Sequence, residues 1–511
     1  MGEGADPPTV VIGIDAAEIT LIDRLVARGR LPVIAGLRES GSRAILTPQH
    51  GGLQSSVWRS FISGRHVGAH GVYFAKMWRP ERMRLEYIDN SWRPVVPFWE
   101  RVDRPLRVGL VDVPYLPPRQ DFDGVLLSGW QCHDVLPKVS WPPELFAQSA
   151  QRFGQPVLGD EPYGAQTPDT LEQARLGALA APAQIADISC DLLARNAYDL
   201  FVVVLGSAHR AGHYLWDLSQ IDPDSLTDDQ RVRLERAVED VYEACDAAIG
   251  RIVAAAPPGA RIVLLAMHGM GRNLGWNENV QALLELAAGE PPRRRPAWRE
   301  QVNAALRSPA GRQLAGRIPA RAQRMLSPLW TRRSRDWSRT RYFALPSDVN
   351  AYIRLNLAGR ELEGIVPPTE APTLAERLTE GFLELEDIET GRPVCAQVAL
   401  IDEVAGPDSP ARQGLPDLVV QWNETPLLGS SGVRHRRGGE RRWPAVRRYV
   451  CGRSGNHRPD GWLIASGPGI PQGADLGRVA ALDAIATLAA WSGHPADDGL
   501  DGTPLPSLFG G

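Results

Sequence analysis

The chain reads as an α/β protein: a doubly wound, largely parallel sheet flanked by helices, with a smaller α+β and helical lobe inserted. Three observations predict this. Short continuous apolar runs alternate with long helical patterns, the order that parallel strands and crossover helices impose. Several of those runs end in Asp or His, where open α/β sheets place their ligands. At 511 residues the chain is long enough for one large α/β core with insertions, or for two domains.

Residues 10–14, Val-Val-Ile-Gly-Ile, read as a buried strand with a helix behind it at 19–29. Strands follow at 107–113 and 124–127. A helical pattern over 171–197 feeds the apolar run 199–205, and a long helix over 225–255 leads to the strand 261–266. The stretch 290–338, rich in Arg, Pro and Trp, breaks the alternation and reads as a largely helical insertion. Beyond it, 351–357 and the sequence up to 401 suggest a small α+β lobe. Residues 417–422 and 461–465 read as a return to core strands, and 480–491 as a closing helix. The implied division is a first core part at 1–285, an insertion at 286–405 and a completing core part at 406–511.

Composition narrows the function. Lys plus Arg number 56 against 60 Asp plus Glu, a net charge of −4, which gives no global attraction to a nucleic acid polymer or an acidic membrane. No run of about 18 apolar residues stands out, so no membrane span is expected. The N-terminus enters a strand almost at once, without the pattern of a secretory signal. The 5 cysteines are widely spaced and odd in number, which fits reduced thiols in a cytoplasmic protein. The expected partner is a small molecule; nothing indicates the oligomeric state.

The chemistry concentrates in histidine. His209 and His213 lie four apart after the 199–205 strand, so one helical turn would put both imidazoles on one face. His268 follows the 261–266 strand, between Met267 and a glycine that lets backbone approach closely. His457 stands in a Gly-Asn-His loop ahead of the 461–465 strand, and Asp15 ends the first strand. A lone histidine is more often structural, but an acid and several imidazoles at strand ends point to a shared metal site. Trp130 and His133, after the 124–127 strand, are candidate pocket residues. Arg272 and Asn273 are candidates to hold a phosphate or sugar hydroxyl. His66 and His70 read as supports for a turn.

These residues carry a resemblance. Val-Ile-Gly-Ile-Asp15-Ala-Ala, Trp58-Arg-Ser-Phe-Ile-Ser-Gly64 through His70-Gly71-Val72, Met267-His268-Gly-Met-Gly271, Ile353 through Glu361, and Gly455-Asn-His457-Arg-Pro-Asp-Gly461 resemble the type I phosphodiesterase/nucleotide pyrophosphatase branch of the alkaline phosphatase superfamily. The resemblance implies two divalent ions about 4 Å apart that clamp a phosphoryl group, with a Ser or Thr nucleophile. Carried over, one ion would take His209, His213 and His457. The other would take Asp15, His268, position 267 and the nucleophile.

The chain departs from that pattern in the site itself. His209 stands where the family has Asp, and Met267 where it has a second Asp. The gapless nucleophile position is Gln54, with Ser55 beside it. Three imidazoles form a soft, neutral ligand set that suits a divalent transition metal, zinc first, with Mn, Fe or Cu as alternatives. The second set keeps two good ligands, so one metal per chain is expected. The nucleophile is Ser55, Gln54's position left unused, or water activated at the metal, with Asp15 or His268 as base. The expected function is a metal-dependent hydrolase of phosphate esters, most directly a phosphodiester or nucleotide pyrophosphate bond. A redox or group-transfer metalloenzyme with a His-only Fe or Cu site, and a non-catalytic nucleotide- or glycan-binding descendant, are the alternatives.

Overall fold

A computed structural model describes residues 6–48, 51–53, 57–88, 95–116, 118–131, 138–159, 161, 164–290, 336–493 and 499–508. Gln54, Ser55, His133 and nearly all of the 290–338 stretch lie outside the described residues.

The expected sheet is present. Its nine strands run, edge to edge, Asp475–Ala480, Gly41–Thr47, Gly461–Ser466, Arg261–Ala266, Thr9–Ile14, Leu200–Leu205, Val108–Val111, Gly124–Ser128 and Val139–Trp141. The block from Arg261–Ala266 to Gly124–Ser128 is wholly parallel. Gly461–Ser466 runs antiparallel to both its neighbours, and Val139–Trp141 closes the far edge antiparallel. Alternate residues of the central strands enter different cores. Val11, Val202, Val204, Val263 and Leu265 join one apolar layer, whereas Ile12, Val203, Leu205, Ile262 and Leu264 join the other. A strand buried on both faces needs apolar residues at every position, which is why these segments read as unbroken apolar runs.

Helices Ile19–Ala27, Pro32–Glu39, Pro168–Arg195 and Asp228–Ala255 cover one face, and Val57–Ser63 and Ala481–Trp491 the other. Asp228–Ala255 starts at a capping box, with Thr227 accepting from the Gln230 amide and the Gln230 side chain accepting from the Thr227 amide. Pro168–Arg195 has the length and composition to cross a membrane, but most of its large apolar residues pack in the core.

The lobe corrects one expectation. Leu418–Trp422, read as a return to the main sheet, pairs antiparallel with Ala351–Leu355 and Cys395–Leu400 in a separate four-stranded sheet that also holds Tyr342–Leu345. An apolar run states that a strand is buried, not which sheet buries it. Helices Val280–Ala287 and Ala371–Leu383 cover one face of this sheet. From the other face, Phe343, Tyr352 and Val419 enter the main core. A second correction concerns Gly455–Arg458, read as a loop: it is a strand paired antiparallel with Gly269–Arg272, with His457 opposite Met270.

Candidate metal centre

The parallel register aligns the C-terminal ends of Arg261–Ala266, Thr9–Ile14 and Leu200–Leu205 side by side. His268, Asp15 and the helix Ser207–Leu215 emerge there together. The Asp15 amide donates to Leu205 O at 3.0 Å, which fixes the turn against the next strand. Ala16 takes φ 55°, a left-handed conformation that costs a non-glycine residue about 1 kcal/mol or more. Glu18 accepts from the Met270 amide at 3.2 Å and ties this turn to the strand that pairs with His457.

Three imidazoles converge at this edge. His209 and His213 sit on successive turns of Ser207–Leu215, and His457 reaches them from its strand. His209 Nε2 lies 2.9 Å from His457 Nε2 and 3.1 Å from His213 Nε2. His213 Nδ1 faces the Gly455 carbonyl at 3.0 Å. A carbonyl only accepts, so Nδ1 carries the proton and Nε2 presents its lone pair to the cluster. All three residues are buried, and their ligand atoms lie within 4.8 Å of one another. A tetrahedral ion with bonds of about 2.0–2.1 Å would hold its ligand nitrogens about 3.3–3.4 Å apart. Two of the observed separations fall within half an ångström of that, so the residues fit such an ion.

Asp15 and His268 flank the triad. Asp15 accepts from the Trp58 indole N–H at 2.8 Å, and its other oxygen lies 3.8 Å from His209 Nδ1, beyond hydrogen-bond distance. The His268 ring stacks on His457 with centroids 4.4 Å apart. Met267 turns away into the apolar layer with Val263 and Leu265. Outside the triad stands a partly buried charge pair, Arg453 with Glu161. Arg453 also lies over the Tyr214 ring, and Arg210 donates to Gly159 O at 2.7 Å.

The candidate substrate residues that fall in the described part are engaged elsewhere. Arg272 is exposed and pairs with Asp217 at 3.3 Å. Asn273 is buried, donates to Arg453 O at 3.0 Å and accepts from the Gly275 amide at 3.0 Å. Trp130 is a core residue, its indole N–H given to Gln184 and its ring packed on Phe146. His70 supports its turn: Nδ1 accepts from the Val72 amide, so Nε2–H donates to Ser60 Oγ at 3.0 Å. The direct Trp58 bond to Asp15 was missed, because the sequence shows Trp58 only as part of a motif and not what its N–H meets.

A family model described as type I phosphodiesterase / nucleotide pyrophosphatase matches residues 9–386. Two solved structures of phosphonoacetate hydrolase from Sinorhizobium meliloti 1021, one in complex with phosphonoformate and one with phosphonoacetate, are similar to the chain. Each has a TM-score of 0.54 and 14% sequence identity, covering 95% of this chain and 96% of the other. At that identity the likeness speaks to the fold. No curated protein matches the chain significantly.

Proposed function

The chain belongs to the type I phosphodiesterase/nucleotide pyrophosphatase family, and from that premise we propose a metal-dependent hydrolase of a small phosphodiester or nucleotide pyrophosphate that works with one three-histidine metal centre. The observation that carries this reading is the convergence of His209, His213 and His457 Nε2 atoms at the C-terminal edge of the sheet. A divalent ion held there, zinc first among Zn, Mn, Fe and Cu, supplies Lewis-acid polarisation of a phosphoryl oxygen.

The protein's own groups supply position and charge. The Gly455 carbonyl sets the His213 tautomer, and the Asp15 carboxylate, held by Trp58, lies against His209. A single ion is favoured by Met267, whose thioether occupies the apolar layer at the place where the family resemblance sets a carboxylate ligand. His268, buried and stacked on His457, is our candidate to orient substrate or accept a proton beside the triad. Ser55 and water remain the two proposed nucleophiles. Ser55→Ala tells them apart, because a retained rate excludes the covalent route through that residue.

Turnover of bis(p-nitrophenyl) phosphate and of nucleoside diphosphate compounds, measured with Zn, Mn, Fe and Cu, tests the reading. We expect activity in wild type with at least one ion and a loss of about 100-fold or more in His213→Ala, as for removal of a principal catalytic group. Equal background rates in both proteins with every ion would sink the hydrolase assignment.

A further inference from the structure

Among the described residues, one buried cation has no carboxylate partner. Arg59, on the helix Val57–Ser63, is only 4% exposed. Its Nε meets no hydrogen-bond acceptor, and among the described residues no carboxylate pairs with it. Two other buried arginines and two partly buried ones each have an acceptor. Arg354 pairs with Glu361 at 2.6 Å, Arg360 with Asp417 at 2.6 Å, Arg453 with Glu161, and Arg210 donates to a backbone carbonyl. Burying an uncompensated cation is strongly unfavourable, so such a group is retained where something anionic compensates it.

Its surroundings point to the metal centre. The adjacent residue, Trp58, holds Asp15, which lies against His209. The phenol of Tyr115, buried and at φ 59°, lies within electrostatic range of Asp348, Asp15, Glu161 and Arg59. Burial raises Tyr115 above the usual phenol range, so it stays neutral and does not act as the missing counter-ion. Burial also draws the Arg59 guanidinium down to about 10, which leaves it charged at neutral pH. The guanidinium fork matches the oxygens of a phosphate or phosphonate.

We propose that Arg59 forms an oxyanion subsite beside the three-histidine centre and binds an anionic phosphoryl or phosphonyl group of the substrate. The inference rests on the hydrolase reading for the word substrate, but not for the binding itself. Its physical content is that Arg59 is unfavourable for the free fold and favourable only when an anion is bound.

Inorganic phosphate is the probe. Full-length wild type, Arg59→Met and Arg59→Lys would be titrated by calorimetry and by thermal unfolding, with metal content and turnover measured on the same preparations. Wild type should bind phosphate and unfold at a higher temperature in its presence. Arg59→Met should keep the wild-type metal content and unfold no lower than wild type in phosphate-free buffer. It should bind phosphate at least about tenfold more weakly, the loss expected for one charge-assisted bond. Arg59→Lys, which keeps the charge without the fork, should fall between them. Phosphate affinity equal to wild type in either variant overturns the proposal, as does an absence of phosphate binding in wild type. A wild type without metal or turnover removes the hydrolase reading, while phosphate binding lost in Arg59→Met would still establish the subsite.

Discussion

His213 is held at both ends of its ring: Nδ1–H donates to the Gly455 carbonyl and Nε2 faces His209. His209 in turn faces Asp15, which is fixed by Trp58. The Gly455 bond sets where the His213 ring points, while Asp15 acts on His209 through its charge at 3.8 Å. Trp58→Phe removes the N–H donor and also leaves a smaller ring in the core, where Trp58 packs against Phe61. We expect it to fold with a cost of about 1–2 kcal/mol and to bind metal roughly 10-fold more weakly, the scale of losing an outer hydrogen bond of a metal site. Metal-competition titration measures this, and an unchanged affinity would show that Asp15 does not steer His209. The three ligands were legible in the sequence because imidazoles at strand ends combine a local pattern with a known location for chemistry. Arg59 and the Trp58–Asp15 bond were not, because nothing in a helical sequence says that one of its arginines is buried without a carboxylate.

At the scale of elements, the site depends on how closely the strand Gly455–Arg458 approaches the helix Ser207–Leu215. A Cβ at Gly455 would stand 2.0 Å from the Gly212 carbonyl oxygen, a backbone atom that cannot swing aside. Gly455→Ala must therefore push the His457 strand off the helix. We expect a loss of about 1–3 kcal/mol in denaturant unfolding, typical of overpacking, together with weaker metal binding. Wild-type stability in this variant would contradict the packing described. This strand was read as a loop because Gly-Asn-His-Arg lacks β-forming residues, and its pairing comes from a distant Gly-rich partner. The lobe offers a second test. Burial pushes Asp417 up, but Arg360, Arg354 and the Leu355 amide outweigh it and hold the carboxyl at about 2. An unfolded Asp titrates near 3.9, so the folded form holds its proton less tightly and protonation favours unfolding. The contribution, about 2 kcal/mol, is fully present above about pH 4 and fades as pH falls through about 2. Asp417→Asn also removes one of the two carboxylates that pair with Arg360, so its deficit against wild type should be widest at neutral pH and should narrow below pH 4. A deficit that stays constant down to pH 2 would contradict the low carboxyl value.

For the whole molecule, the doubly wound sheet was the most legible feature, because strands buried on both faces must be apolar throughout and the crossover helices between them are long. Which sheet the run 417–422 enters was not legible, since the two sheets ask for the same residues. The fold brings His209, His457, His268 and Asp15 together from separate parts of the chain, so a bound ion should brace the whole core. Chelation should therefore lower the thermal midpoint of wild type, and readdition of zinc should restore it, since an ion that binds only the folded form stabilises it by mass action. In His213→Ala the chelator should have little effect. The central claim is a single metal held by three histidines, and elemental analysis of the purified chain tests it most directly. The account predicts one transition-metal ion per chain in wild type and close to none in His213→Ala; two ions per chain, or a full complement in the variant, would contradict it.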